Sequence, residues 1–525
     1  MTETAARQPG HRLLMKKSIA QVQKEAAGQH LKRSLGAVNL VLFGIGCIIG
    51  AGIYVMTGSA AAHFAGPAVL LSFVVAGLAC AFAGLCYAEL ASTMPVAGSA
   101  YTYSYTILGE VFAWVMGWLL VLEYGVAAST VAAGWSGSVT SLLANFGLVI
   151  PAHLTTSFIQ ATQGDHGLIF SAGHGLNLLG ALGILAVTSL LVIGVSESAN
   201  VNNVIVIIKV GVLLLFIGMG AFFVKPANWH PFIPPNEGGF TYGIPGIFRA
   251  ASVIFFAYVG FEAVSTAAGE AKNPARDMPI GILGSLVVCT ILYILVSAIL
   301  TGIVPFRQLG VAAPIALAVD RMGVPWFAIL IKLGAVAGLS SVMLILTYGQ
   351  SRVFYAMARD GLLPRFFAKL HTGFRTPWIG TIILGLLIAT AAAMLPIEIL
   401  GDLVSLGTGV AFAIVCISVL WLRSTRPDLH RPFTAPFGVF VPVLGVIMSL
   451  VMVGPLLIDI VFKALHGDPI PAYLLTGYLS LGALIYFGYG LSHSRLGLGL
   501  GPHEEDGLPT EMEAVAHGLD EHGQK

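Results

Sequence analysis

Residues 44–55 read GIGCIIGAGIYV, four glycines in twelve positions inside a stretch otherwise apolar enough to cross a membrane. A glycine costs about 1 kcal/mol against alanine in a helix interior, so the cluster needs a reason. Gly46 and Gly50 form a G-x-x-x-G pair, which favours close packing of membrane helices. Gly50-Ala51-Gly52 suits a different use, an opened turn. No strand precedes these glycines and their spacing is not that of a dinucleotide loop.

The surrounding chain sets the class. Of 525 residues, 57% are hydrophobic and 10% charged, and the mean hydropathy is +0.88. Apolar runs of about 20 residues, the length of a membrane-crossing helix, recur from residue 38 to residue 490. Continuous runs such as VIVIIKVGVLLLFIGMGAFFV exclude barrel strands, which alternate over about 10 residues. The chain reads as an all-α polytopic membrane protein. Twelve spans are predicted, over 38–62, 68–93, 107–134, 178–195, 201–224, 247–267, 278–303, 326–356, 378–396, 400–422, 438–459 and 471–491.

Lys and Arg favour the cytoplasmic side of a membrane. They crowd the first 35 residues (Arg7, Arg12, Lys16, Lys17, Lys24, Lys32, Arg33) and alternate later loops, and they are missing from the long loop before the fourth span. Both termini are therefore expected in the cytoplasm of a cell whose inner membrane holds the protein. The first 35 residues have no cleavable-signal pattern. They suit either a basic amphipathic helix on the inner leaflet or a loose tail, and leave room for a partner such as a small accessory membrane protein. The Gly-, His- and acid-rich segment 493–525 is expected to be disordered. The expected organisation is 1–35, a first repeat over 36–225, a second over 240–423, two further spans over 436–492, and the tail.

All five cysteines, Cys47, Cys80, Cys86, Cys289 and Cys416, fall within spans without a C-x-x-C pair, which argues against disulfides or a zinc site. The net charge of +1 argues against a nucleic-acid partner. No Walker A loop, nucleophile–base pair or metal cluster stands out, so neither an enzyme nor a cofactor is expected.

A second interruption falls five spans after the first. The sixth span, VIFFAYVGFEAVSTAAG, breaks near Gly260, two residues before Glu262. Interrupted helices at corresponding places in two halves mark the binding site of many secondary transporters. An opened helix offers free N–H groups at the start of its second half and free C=O groups at the end of its first. An amino acid zwitterion needs both.

Charges at the bilayer centre cost about 2.5–3.5 kcal/mol on insertion scales, and three lie deep: Glu123, Lys209 and Glu262. Lys209 is too far from either end of its span to snorkel and is a candidate for gaining and losing the coupling proton. Ser340 and Ser341 in the eighth span are candidate acceptors for it, or simply bond their own helix. Glu123 and Glu262 can hold protons, contact a cationic substrate or pair with Lys209. Glu89, Glu110, Lys332 and Asp459 lie near span ends and read as interfacial.

Together GIGCIIGAGIYV, YAELASTMPVAGSAYTYSY, FFAYVGFEAVSTAAGEAKNPARDMPIGI and YGQSRVFYAMARDGLLP resemble the amino acid-polyamine-organocation transporters, above all bacterial members of the cationic amino acid transporter branch. The resemblance covers residues 31–491. It implies a leucine-transporter-type fold, two inverted five-helix repeats plus two further helices, with alternating access around a midplane site. It implies that backbone amides of Gly50, Ala51 and Gly52 hold the substrate carboxylate. The carbonyls of Ile48, Phe256, Ala257 and Val259 would receive the ammonium, and Lys209 would act as the coupling ammonium with a first-span carbonyl, Ser340 and Ser341 as partners.

The chain departs from the family pattern at Ala51, where relatives often have Ser or Thr, and at Glu262, where they have Asp. Gly269 replaces an acid, and the bulky Leu346 stands where side-chain length is limited. The resulting expectation is proton-coupled import of an L-amino acid, small and neutral such as alanine. Transport of a cationic amino acid, uniport or exchange without protons, and reception without flux are the alternatives.

Overall fold

In the bilayer every backbone N–H and C=O must find its partner within the protein, which long apolar runs achieve only as helices. The computed structural model describes residues 13–18, 35–95, 99–164, 167–194 and 199–500. The segments expected over 1–35 and 493–525 lie outside them apart from 13–18, Leu35 and 493–500. Among the described residues nine helices are long and apolar enough to span, and Ala37–Ile48, Leu178–Ile193 and Trp378–Met394 are shorter apolar helices.

Twelve spans result, close to the expected boundaries. The first is split into Ala37–Ile48 and a helical run over 52–65. The second is Val69–Thr93 and the third Glu110–Ala144. The fourth and fifth are Leu178–Ile193 and Ala199–Gly220. The sixth is split into Gly243–Ile254 with Phe255–Tyr258, then Glu262–Glu270. The seventh to tenth are Pro274–Ile303, Pro325–Arg359, Trp378–Met394 and Ile397–Thr425. The last two are Phe440–Leu465 and Ile470–Ile485. Local chemistry explains several ends. Pro274 and Pro325 open their helices, where a missing N–H costs nothing, and Gly194 closes the fourth span at φ +91°.

The packing repeats with a period of five spans. The second lies against the seventh, the third against the eighth and the fourth against the ninth. The fifth packs on the first as the tenth does on the sixth, and the fifth on the eighth as the tenth does on the third. Exchanging each span for the one five places on maps this pattern onto itself. Five is odd, so the second set starts from the opposite face. This is the leucine-transporter-type arrangement.

The two split spans are stitched together at both ends. The entry to the first pairs with the exit of the sixth, Leu35 N–H to Glu270 carbonyl at 3.0 Å and Lys272 N–H to Leu35 carbonyl at 2.8 Å. The exit of the first pairs with the entry of the sixth, Tyr242 N–H to Phe64 carbonyl at 2.8 Å and Tyr242 hydroxyl to Ala62 carbonyl at 2.6 Å. Among the described residues a β-hairpin, Ile159–Gly164 against Gly167–Ala172, lies in the long loop between the third and fourth spans. The Phe170 N–H fixes it to Asp468 at 2.9 Å.

The charges expected near the span ends are buried within the protein. Glu89 meets Arg423 and the Ala435 N–H, and Glu110 accepts from Tyr105 at 2.9 Å and from Ser494. Lys332 bonds Asp320. At the end of the bundle carrying the hairpin, Arg249 of the sixth span is 1% exposed. It forks onto Asp402 of the tenth span at 2.9 and 2.6 Å, and reaches Asp459 of the eleventh at 2.9 Å. Its guanidinium also lies over the Phe64 ring at the exit of the first span. Such charges are tolerated because each is paired.

Removing the shared cation leaves the half-buried Asp402 without its partner and Asp459 with Lys463 alone, 3.0 Å away. Arg249→Met should cost about 3–5 kcal/mol, as for other broken buried pairs, seen as a large drop in the melting temperature of the detergent-solubilised protein. Asp402→Asn should cost clearly less, because Asp459 remains against Arg249.

Candidate functional site

The first span stops as a helix at Ile48, passes through extended Ile49 (ψ 95°) and resumes at Gly52 in wide turns. The resumed helix begins with N–H groups that have no carbonyl one turn behind them, at the weakly positive end of its dipole. The sixth span changes to a tight helix over Phe255–Tyr258, is extended at Val259 (ψ 130°) and turns at Gly260, φ +119°, before resuming at Glu262. Side chains rarely adopt that φ, so glycine is required there.

The two breaks run antiparallel and touch. A Cβ on Gly52 would fall on the Cα of Ala257, and one on Gly260 would lie 2.7 Å from the backbone of Cys47. Behind them the Tyr293 hydroxyl of the seventh span reaches the Ile48 carbonyl at 2.8 Å and the Ala257 carbonyl at 3.1 Å. Gly44 serves packing: a Cβ there would meet the Ser285 hydroxyl at 2.5 Å.

A narrow cavity lies at the breaks, lined by Ile48, Gly50, Ala51 and Gly52 of the first span and by Val131, Phe256, Val259, Val342 and Leu346. Its side chains are apolar apart from the Cys47 thiol, so polar recognition falls to the backbone. Helix-end N–H groups can receive a carboxylate and the break carbonyls an ammonium. The Ile48 and Ala257 carbonyls share the one hydroxyl proton of Tyr293, and Phe256 accepts from the Val259 N–H at 3.1 Å, so each carbonyl keeps a lone pair for a further donor.

The structure gathers most of the expected residues and separates others. Ile48, Gly50, Ala51, Gly52, Phe256, Val259 and Leu346 line one cavity. Ala257 stands behind it, turned to Gly52 and Tyr293. Glu262 is not a lining residue either: both carboxylate oxygens bend back to the Gly260 N–H, at 3.0 and 2.8 Å, so the side chain caps the break. Glu123 is fully buried with Glu262 as a charged neighbour, and among the described residues its oxygens meet no hydrogen-bond partner of ordinary geometry.

Lys209 is 1% exposed and donates to the Gly46 carbonyl at 3.0 Å. Its stem passes Gly338, where a Cβ would lie 3.4 Å from the lysine Cγ. Ser341 sits near this crossing and bonds the Gly338 carbonyl at 3.1 Å. Ser340 is turned elsewhere, because Trp135 of the third span donates to it at 2.9 Å and it donates to Val336.

Sequence reasoning missed Val131, Val342 and Tyr293. A phenol within ILYILVSAIL is a polar group in hydrocarbon and was a readable signal for Tyr293. The valines differ in nothing from their neighbours until the helices are packed.

The chain matches the family model described as amino acid permease over residues 35–479. It is 44% identical over 483 residues to the branched-chain amino acid permease BcaP of Bacillus subtilis (strain 168), covering 92% of this chain and 98% of that protein. It is 43% identical over 484 residues to the methylthioribose transporter of the same organism, covering 92% and 99%. Against the vacuolar cationic amino acid transporter 4 of Arabidopsis thaliana it is 38% identical over 418 residues, 79% of this chain and 68% of that protein.

The packing at the two glycines of the break separates their roles. Gly52→Ala should abolish substrate-dependent thermal stabilisation, since its Cβ would meet the Cα and Cβ of Ala257 at 2.2 and 2.3 Å, and neither can rotate away. Gly50→Ala meets the Val342 methyls at 3.0 and 3.3 Å, which a side-chain rotation relieves, and should keep measurable stabilisation.

Proposed function

Because the chain belongs to the amino acid permease family, we propose that it imports neutral L-amino acids with small to branched apolar side chains, coupled to protons. One observation carries the substrate class: both opened helix turns border a cavity whose lining contains no charged side chain. Family relatives of nearly equal identity are named for a branched-chain amino acid and for methylthioribose, so similarity alone does not choose between substrates. The lining favours a zwitterion with an apolar side chain. Alanine fits beneath Leu346 most easily. The branched-chain reading is favoured by the valines at positions 131, 259 and 342, which offer matching apolar surface. A cationic side chain would meet no counter-charge in the lining, since Glu262 is spent on the break.

The Lys and Arg of the alternate loops favour a cycle with both termini in the cytoplasm and the odd-numbered loops outside. In the proposed cycle the charged Lys209 draws on the Gly46 carbonyl and holds the first half of the first span in place while substrate loads from outside. Loss of its proton to the cytoplasm removes the charge-assisted bond, which is about twice as strong as a neutral one. The half-helix is then free to move and the substrate leaves inward.

Proteoliposomes test both parts. Wild-type protein should accumulate radiolabelled alanine, valine or leucine when the outside is acidified, and excess arginine should compete poorly; arginine outcompeting them would refute the neutral reading. Lys209→Ala should lose the acid-driven accumulation while counterflow exchange persists. Retained pH-driven accumulation in that variant would remove Lys209 from the coupling. Leu346→Ala should shift preference from alanine towards leucine, read as the ratio of kcat/KM values.

A further inference from the structure

The eighth span, Pro325–Arg359, turns one side to the cavity through Val342 and Leu346. Its opposite side is an exposed stripe. Trp326 (64% exposed), Leu333 (51%), Ala337, Tyr348 (43%) and Arg352 recur along it at spacings that return to one side of a helix. The upper part is apolar, as a lipid-facing surface requires. At the lower end Tyr348, Arg352, Tyr355 and Arg359 follow one another within about three turns.

Depth follows from the helix rise. Trp suits a membrane–water interface, and Trp326 stands at the end of the bundle where Lys332 meets Asn145 at the close of the third span. At 1.5 Å per residue, Tyr348 lies about 33 Å along the helix from Trp326 and Arg352 about 39 Å. A hydrocarbon core is about 30 Å thick, and a bilayer with its headgroups about 40–45 Å. Tyr348 therefore meets the far edge of the hydrocarbon, and Arg352 lies among the headgroups.

Arg352 does not stretch towards water, as a snorkelling side chain does. It folds back one turn, its guanidinium 4.9 Å from the centre of the Tyr348 ring. Among the described residues it meets no carboxylate and no hydrogen-bond acceptor, so its five N–H donors face the bilayer. Arg359, over the Tyr355 ring at 5.8 Å, adds a second positive charge on the same side. The neighbouring carboxylate, Asp360, is buried and engaged by Lys17 and Tyr101.

We propose that Tyr348 and Arg352 form a binding site for the phosphate of an anionic lipid carrying one net negative charge, such as phosphatidylglycerol. The planar guanidinium donates to both non-ester oxygens of the phosphate, the exposed Tyr348 hydroxyl donates to one of them, and an acyl chain lies along Leu344 and Ala337. A zwitterionic lipid would bring its own ammonium to the same two arginines and is disfavoured. In the orientation proposed above this is the inner leaflet. The site backs the helix that carries Val342 and Leu346, so a bound lipid steadies one wall of the cavity.

Full-length protein in neutral detergent, titrated with phosphatidylglycerol and followed by native mass spectrometry and thermal unfolding, tests it. Wild type should retain one lipid and melt at a higher temperature, and phosphatidylcholine or inorganic phosphate should produce neither effect. Arg352→Gln should weaken that lipid about tenfold, the effect of lost bonds to a charged group. Arg352→Lys should fall between, because the charge stays and the fork is lost. Arg365→Gln removes another exposed cation at the same end of the bundle and should change nothing. Unchanged affinity in Arg352→Gln would overturn the site, and so would equal weakening by Arg365→Gln, which would leave only a diffuse attraction to a basic face. Equal retention of phosphatidylcholine would overturn the anionic lipid as occupant, as would stabilisation by inorganic phosphate alone.

Discussion

The antiparallel contact between the two interrupted spans is the constraint from which the site follows. Each break presses a glycine into the other's chain, Gly52 at Ala257 and Gly260 at Cys47. Backbone hydrogen bonds close the pair at both ends, and the Tyr293 hydroxyl bridges the carbonyls of Ile48 and Ala257 from behind. Opened helix turns in hydrocarbon would leave costly unpaired backbone groups. Facing each other, they concentrate those groups on one small cavity that a zwitterion can satisfy. The second span holds the sixth from outside, Ser72 donating to the Ile247 carbonyl and Tyr258 to the Phe73 carbonyl.

Charge is kept out of the cavity wall and placed around it. Arg249 with Asp402 and Asp459 gathers four spans at one end, and Glu89 with Arg423 ties the second span to the tenth at the other. Buried pairs of this kind add little net stability but are expensive to break, so they favour defined arrangements of the spans over intermediate ones. Lys209 differs in bonding to the backbone of a broken helix, the Gly46 carbonyl of the first span. Glu262 uses its carboxylate to cap a break, which explains why an acid stands beside Gly260 without reaching the cavity.

Much of the fold was legible because the bilayer makes the pattern simple: a long apolar run becomes a helix, and Lys and Arg mark its flanks. The split spans were legible at Gly50–Gly52 and Gly260 for the same reason, since glycines in hydrocarbon need an explanation. What misled was inference from position along the chain. Glu89, Glu110, Lys332 and Asp459 lie near span ends, yet each is buried in a network formed with residues distant in sequence. Ser340 and Ser341 are neighbours in sequence, but one helical step, about 100°, turns the first to Trp135 and leaves the second beside the Lys209 crossing.

By itself the sequence determined the twelve spans, the two breaks and the lysine between them, because hydropathy, glycine content and an isolated charge are properties of single segments. Which side chains face which was decided only by the packing. Val131, Val342 and Tyr293 reach the site because the third, eighth and seventh spans close on the breaks, and Ala257 and Glu262 stand off it because the sixth span turns at Gly260. The reason is physical: the apolar pattern fixes where a helix lies in the membrane, whereas its rotation is settled by the shapes of the neighbours it must fit.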